Sequence, residues 1–117
     1  MSISRAQQAK VIDHEIFAEM REMLEDEFEE LLVEFNDDTK DMLAQLSDAA
    51  NQGQLETIST LCHTLASSSG HLGFLQLSET AREVELMARE QAGQHDCAAW
   101  VNQLQQCYQQ LARQLGE

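Results

Sequence analysis

The chain has 117 residues, with no proline and 5 glycines, and 43% of its residues are hydrophobic. Ala, Leu, Glu and Gln dominate while Val and Ile are rare, so the composition favours helices over β-strands. Seven basic residues against 21 acidic ones give a net charge of −14, which argues against binding to nucleic acid or to an anionic membrane surface.

The first half of the chain predicts a short helix followed by a long one. Asp13 is a suitable N-cap for the short helix, which carries three apolar residues on one face: Ile16, Phe17 and Met20. Helical spacing of apolar residues then predicts a second helix over about 25–50, with acidic residues on its far side. Asn51-Gln52-Gly53 is a typical helix-ending sequence, so we expect the second helix to stop there.

Three more helices follow in the second half. The third starts near Gln54 and is broken by the sequence Gly70-His71-Leu72-Gly73. The fourth begins with Phe74 and ends at Gln91-Ala92-Gly93. Asp96 is the expected N-cap of the fifth, whose apolar stripe extends to Leu115.

These elements predict an all-α protein, an antiparallel four-helix bundle with a short additional N-terminal helix, because each apolar stripe needs a neighbour to bury it. We take residues 1–12 as an N-terminal tail and residues 13–117 as a single domain. Since one bundle can bury all the stripes, we expect a monomer.

Packing of the bundle core does not account for His63. The apolar face of its helix is formed by Ile58, Leu61, Leu65 and Ser69, and His63 lies about 140° from the centre of that face. The positions around it on the helix surface all carry small side chains: Ser59, Thr60, Ala66, Ser67 and Gly70. An exposed imidazole surrounded by small side chains can be approached closely by the active site of another protein.

The stretch from His63 to Gly73, His-Thr-Leu-Ala-Ser-Ser-Ser-Gly-His-Leu-Gly, resembles the signature of histidine phosphotransfer (Hpt) domains. The resemblance extends upstream to the Phe28–Leu46 helix and downstream to the Ala81–Glu85 run, and it covers about residues 13–115. It implies a phosphoryl carrier in a two-component phosphorelay. His63 would accept a phosphoryl group from an aspartate of one receiver domain and pass it to another receiver domain.

The same resemblance implies a partner for the imidazole, a Glu or Gln on the next helix. Here that residue is Glu85, 22 residues after His63. We expect Glu85 to accept a hydrogen bond from Nδ1 and to leave Nε2 free to attack phosphorus. The simpler interpretation is an exposed glutamate paired with Arg82 or Arg89 at helical spacing. The receiver domain would supply Mg²⁺, so we expect this chain to be no enzyme by itself and to hold no cofactor.

Two positions depart from the family pattern. Ala66 stands where the family usually has a lysine, and Ser67 stands where it usually has a glycine. A lysine would help to neutralise the phosphoryl group, and Arg82 and Arg89 are the candidates to replace it. The missing lysine also keeps an alternative open, an adaptor that binds receiver domains without carrying phosphate.

Other residues give weaker signals. Leu72, Phe74 and Leu75 follow the motif and form either a docking patch or ordinary packing at the end of the bundle. His71 is expected to be a turn residue with a free ring, and His14 and His95 lie near helix starts with no evident role.

A metal-binding bundle is the main alternative from another class of function. No histidine has a glutamate three residues before it, so the sequence lacks the Glu-x-x-His pairs of di-iron bundles and we expect no metal site. Three cysteines without a CxxC pair, and an N-terminus without an apolar stretch, favour the reducing cytoplasm. Cys62 and Cys97 are expected in the core, and Trp100 at its edge.

Overall fold

The computed structural model describes residues 8–90 and 96–116, and within these ranges it contains five α-helices and no strand. The helices are α1 (His14–Leu24), α2 (Glu27–Asn51), α3 (Leu55–His71), α4 (Leu75–Arg89) and α5 (Cys97–Gln114). The predicted all-α fold, with four long helices and a short N-terminal one, is therefore confirmed.

The four long helices form a closed bundle. α3 packs between α2 and α4, and α5 completes the ring by contacting α2 and α4. The turns before and after α3 are three residues each, 52–54 and 72–74, and so short a connection makes consecutive helices antiparallel. Fully buried side chains from all four helices fill the centre, among them Leu46, Ile58, Leu65, Leu77 and Leu104.

The short helix α1 closes one end of the bundle. Asp13 caps it as predicted, since its carboxylate accepts hydrogen bonds from the backbone N–H groups of Glu15 and Ile16 at 3.0 and 3.2 Å. The ring of Phe17 packs edge-on against Phe28 of α2, with centroids 5.1 Å apart, and lies 5.9 Å from the ring of Phe74. These aromatic contacts join α1 to α2 and to the turn after α3.

The segment before α1 is held against the turn after α3. The N–H of Asp13 donates to the carbonyl of Gly73 at 2.7 Å, and the N–H of Gln76 donates to the carbonyl of Lys10 at 2.9 Å. Ile12, between these two contacts, is buried. Gly73 has a φ of +83°, and a Cβ there would lie 2.8 Å from the carbonyl oxygen of Asp13, so only glycine fits this turn.

Details of the helices differ from the sequence expectation. Leu61 is only partly buried, and Trp100 is fully buried rather than at the edge of the core. Asp96 precedes α5 as predicted, but its side chain makes no capping hydrogen bond with the described residues. α4 ends at Arg89, and the predicted turn at 91–93 lies outside the described residues, as does His95. Within the described ranges, none of the helices combines the length and the apolar character needed to cross a bilayer.

Candidate functional site

His63 lies in the middle of α3, and 68% of its side chain is exposed. The sequence analysis predicted this outward orientation, although the residues that are buried differ from those expected. The buried face of α3 includes Ser59, Cys62 and Ala66, so its centre lies about 100° from His63 rather than about 140°. His63 therefore stands at the border between α3 and α4, where residues of α4 can reach its ring.

The residue that reaches the ring is Glu85 of α4. Its Oε2 lies 3.0 Å from Nδ1 of His63, and the glutamate itself is buried, with 8% exposure. A carboxylate only accepts hydrogen bonds, so Nδ1 carries the hydrogen and Nε2 of a neutral ring keeps its lone pair. The exposed ring therefore presents one nucleophilic nitrogen, Nε2, while the hydrogen bond from Nδ1 to Glu85 fixes the position of the ring.

Arg89 adds a cation to the same carboxylate. Its Nη2 lies 3.0 Å from Oε2 of Glu85, so the oxygen that accepts from the imidazole also forms an ion pair with the guanidinium. Arg89 follows Glu85 by one helical turn, and 64% of its side chain is exposed. Arg82 is exposed too, but the structure gives it no ion pair with any residue in the described ranges. Of the two predicted arginines, only Arg89 thus contacts the site.

The small residues around His63 fall into two groups. Ser67 is exposed and Gly70 partly so, and these leave the approach to the ring open on their side. Ser59 and Ala66 are buried, which corrects the expectation that they belong to the exposed surface of small side chains around His63. The prediction failed because small residues allow two helices to approach closely, and a wheel weighted toward large apolar residues misses that face.

We call the contact between these two helices the α3–α4 seam, formed by Ser59, Ala66, Gly70, Ser78 and Glu85. The hydroxyl of Ser78 donates to the carbonyl of Ala66 at 2.7 Å. A Cβ on Gly70 would come within 3.1 Å of the same hydroxyl oxygen. The seam is therefore closely packed along the side of α3 that faces Glu85 of α4.

Cys62 is buried at the same seam, as predicted. Burial, and secondly the negative charge of Glu85, raise the pKa of its thiol from 9.0 to about 12. Its pKa keeps it protonated at neutral pH, which makes it a poor nucleophile and metal ligand. Among the described residues, no group of three His, Cys, Asp or Glu side chains is placed to hold a metal ion.

On the other side of α3 lies an open depression that the sequence analysis did not identify. We call it the α1–α2–α3 groove. It encloses about 540 Å³, and its apolar lining comes from Met20, Leu24, Leu31, Phe35, Met42 and Leu72. In sequence these residues belong to ordinary helix stripes, and only the packing of α1 on α2 shows that the stripes are incompletely covered.

The apolar residues after the motif are less exposed than a docking patch requires. Leu72 and Phe74 are buried, and Leu75 is partly buried. They pack the end of the bundle, which is the second of the two alternatives that the sequence left open, and the accessible apolar surface near His63 is the α1–α2–α3 groove. His71 is exposed and lines this groove from the last turn of α3.

Comparison with known proteins agrees with this geometry. The sequence profile of the Hpt domain matches residues 15–114, nearly the whole chain. The chain belongs to the Hpt domain family. Its members are phosphotransfer domains, phosphoryl carriers rather than catalytic enzymes. The predicted resemblance is thus confirmed, and the matched region contains His63, Glu85 and Arg89.

A solved structure supports the Hpt fold. Histidine-containing phosphotransfer protein B (HptB) from Pseudomonas aeruginosa PAO1 superposes with a TM-score of 0.83 at 24% sequence identity, over 89% of this chain and 90% of that one. At this identity the likeness shows the fold. No curated protein sequence matches the chain.

Proposed function

We propose that this Hpt protein carries a phosphoryl group on Nε2 of His63, taking it from a receiver-domain aspartate and giving it to another receiver domain. The single observation behind the proposal is the pair formed by His63 and Glu85: an imidazole with 68% of its side chain exposed, held through Nδ1 by a buried carboxylate at 3.0 Å. Such a pair fixes the tautomer, so the outer nitrogen is the nucleophile.

In the transfer step, the Nε2 lone pair attacks the phosphorus of the aspartyl phosphate. The N–P bond forms while the P–O bond to the aspartate breaks, and the aspartate leaves as a carboxylate. The hydrogen stays on Nδ1, so the phosphorylated ring gains a positive charge. Glu85 faces that charge directly and stabilises it, which favours the transition state and the product. Return to a second aspartate reverses the same step.

The described site contains no residue group that would bind Mg²⁺. In the proposed relay the receiver domain therefore brings the metal and most of the charge stabilisation, and this chain brings the positioned nucleophile. We take the carrier to be cytoplasmic and monomeric, and its three cysteines are buried and form no disulfide, as is usual in a reducing compartment.

Arg89 is the proposed substitute for the missing lysine. Position 66 is buried in the α3–α4 seam, so a lysine there would have its first side-chain atoms inside the seam. The guanidinium of Arg89 is exposed, and Oε2 of Glu85 contacts both this guanidinium and the ring of His63. We expect Arg89→Ala to shorten the lifetime of phosphohistidine and Arg82→Ala to leave it nearly unchanged. An equal lifetime for wild type and Arg89→Ala would remove Arg89 from this role.

The test of the proposal is a transfer assay. The chain is mixed with receiver domains that have been phosphorylated with acetyl phosphate, and acid-labile phosphate on the chain is followed over time. We expect transfer to the wild type and none to His63→Gln, whose amide N–H can still donate to Glu85 but which has no nucleophilic nitrogen. Equal labelling of both would refute the proposal.

The adaptor remains the second candidate because Ala66, in place of a lysine, is buried in the α3–α4 seam and adds no charge near the ring. It predicts receiver binding that survives His63→Ala, with no acid-labile phosphate on the wild type. The transfer assay therefore separates the two functions.

A further inference from the structure

A phosphoryl group on His63 would lie on a part of the chain that carries no charged side chain. From Thr57 to Ser78 the sequence contains no Asp, Glu, Lys or Arg. The phosphoryl oxygens carry about two negative charges and are three strong hydrogen-bond acceptors. On the exposed face of α3 around His63, the side chains that can donate hydrogen bonds to them are hydroxyl groups.

Four residues near His63 carry hydroxyls on the exposed or partly exposed side of α3: Thr60, Thr64, Ser67 and Ser68. Three of these hydroxyls donate to backbone carbonyls of the preceding turn, at 3.1 to 3.4 Å. Serine and threonine in helices commonly make such bonds, which use the single hydrogen of the hydroxyl. The hydroxyl of Ser67 makes no hydrogen bond with any residue in the part of the chain that the structure describes. Its hydrogen is therefore available to a ligand.

Ser67 lies one helical turn after His63, on the side of α3 that faces away from α4. Around the helix axis it is about 40° from His63, whereas the buried Ala66 is about 60° to the other side. Residues four positions apart are neighbours on a helix surface, with Cβ atoms about 5–6 Å apart. Side chains in a helix lean toward its N-terminus, so the Ser67 hydroxyl leans toward the turn that carries His63.

The hydrogen bond to Glu85 directs the reactive nitrogen of His63 away from the α3–α4 seam. Nδ1 faces α4, with Oε2 of Glu85 at 3.0 Å, and Nε2 lies on the other edge of the ring. A phosphoryl group on Nε2 therefore extends toward the exposed side of α3. The free hydroxyl of Ser67 lies on that side.

We propose that the Ser67 hydroxyl donates a hydrogen bond to a phosphoryl oxygen of phosphorylated His63 and stabilises the phosphorylated state. The inference rests on the proposed function, because it assigns a residue to the phosphoryl group that His63 would carry. A hydrogen bond to an anionic oxygen is roughly twice as strong as one between neutral groups. Ser67 stands where the family usually has a glycine and adjoins Ala66, which replaces the usual lysine. The hydroxyl supplies part of the stabilisation that a lysine would give, on the side of the ring opposite Arg89.

The experiment measures the equilibrium constant for phosphoryl exchange between the chain and a receiver domain. The receiver domain is phosphorylated with acetyl phosphate, freed of the excess reagent and mixed with the chain. The ratio of the rate constants for transfer in the two directions gives the equilibrium constant. This constant depends only on the free energies of the separate reactants and products, so a residue that acts only in docking leaves it unchanged.

We expect Ser67→Ala to lower the equilibrium constant for phosphorylation of His63 by about threefold to tenfold, as for a charge-assisted hydrogen bond that water partly replaces. Ser67→Gly should lower it by the same factor, because both variants lack the hydroxyl while they differ in size. Thr60→Val is the matched control, since the hydroxyl hydrogen of Thr60 is bound to a backbone carbonyl. It should change the constant by less than about twofold.

Several results would overturn the inference. An unchanged constant for Ser67→Ala, with both directions of transfer slowed equally, would place Ser67 in docking, and an equal fall for Thr60→Val would deny Ser67 a special role. Acid-stable phosphate on the wild type that is absent from Ser67→Ala would make the hydroxyl a phosphoryl acceptor instead of a hydrogen-bond donor.

Phosphoramidate, which loads histidine without docking, separates this inference from the proposed function. If neither phosphoramidate nor the receiver domain labels His63 of the wild type, the proposed function fails and the inference fails with it. If the wild type is labelled and Ser67→Ala has the same equilibrium constant, the inference alone is refuted.

Discussion

His63 lies between two unlike surfaces of the same bundle. On one side the α3–α4 seam is closed by small residues, with Glu85 buried and bonded to the ring. On the other side the α1–α2–α3 groove is open, apolar and acidic at its rim. The closed side can position the imidazole without a partner, and the open side can accept one. The fold alone therefore positions the imidazole, and the apolar surface on its other side stays uncovered.

The turn after α3 connects the two helices of the seam, and its Leu72 lines the groove, so a substitution that disrupts this turn should have the largest effect. Gly73→Ala combines the strain of a positive φ, about 1–2 kcal/mol, with a Cβ that would lie 2.8 Å from the Asp13 carbonyl oxygen and cost about 1–3 kcal/mol more. Urea unfolding should show a loss of about 2–5 kcal/mol. Gly53→Ala is the matched control, since its φ is +66° but nothing lies within 4 Å of the added carbon. Equal losses in both variants would show that the contact with Asp13 is unimportant.

Glu85→Ala tests the closed side alone. Removing a group that fixes the tautomer of a histidine typically costs about 10-fold to 100-fold, and we expect that loss in the rate of phosphorylation of His63. Phosphorylation by phosphoramidate and phosphorylation by a receiver domain should be slowed by the same factor, because the substitution of Glu85 acts on the ring of His63 and not on docking. Glu85→Gln keeps an acceptor for Nδ1 but loses the negative charge that faces the phosphorylated ring, so it should recover only part of the rate. A loss confined to the receiver-dependent reaction would place Glu85 in docking instead.

Ser78→Ala should loosen the seam with a smaller effect. It removes the buried hydrogen bond to the Ala66 carbonyl, which is worth about 1 kcal/mol. Ser67→Ala, at an exposed position of α3, should change the free energy of unfolding by less than about 0.5 kcal/mol. Thermal or urea unfolding measures both, and a loss for Ser67→Ala as large as for Ser78→Ala would contradict the packing of the seam.

Cys62 gives an effect that is absent at neutral pH, a dependence of stability on pH. The unfolded thiol ionises near its ordinary pKa of 9.0, while burial, together with the charge of Glu85, raises the folded pKa to about 12. The folded state therefore holds more protons above pH 9, and stability must fall as pH rises through that range. Comparing urea unfolding at about pH 8 and about pH 10, wild type should lose more stability than Cys62→Ala. Identical losses would show that the thiol does not contribute.

The bundle itself could be predicted from the sequence, because apolar spacing and turn residues are local signals. The spacing located four long helices and the short α1, and Asp13 was recognised as its cap. Helix ends shifted by only a few residues, since they depend on tertiary contacts as well as on local sequence.

The site was predicted in part. His63 was found from the small residues around it, and Glu85 from the resemblance to Hpt domains. The helical wheel could not show that Ser59 and Ala66 are buried, since close approach of two helices is a tertiary property. Nor could it show the α1–α2–α3 groove, which is defined by what α1 leaves uncovered on α2.

The contact between residues 10–13 and residues 73–76 has a consequence for how the chain folds. Its two backbone hydrogen bonds join segments about 60 residues apart, while α3 and α4 meet across a turn of three residues. Closing the long loop costs more chain entropy than closing the short one, so the α3–α4 hairpin should form first and the N-terminal segment should attach late. Substitutions at Ile12 should then accelerate unfolding while leaving the folding rate nearly unchanged.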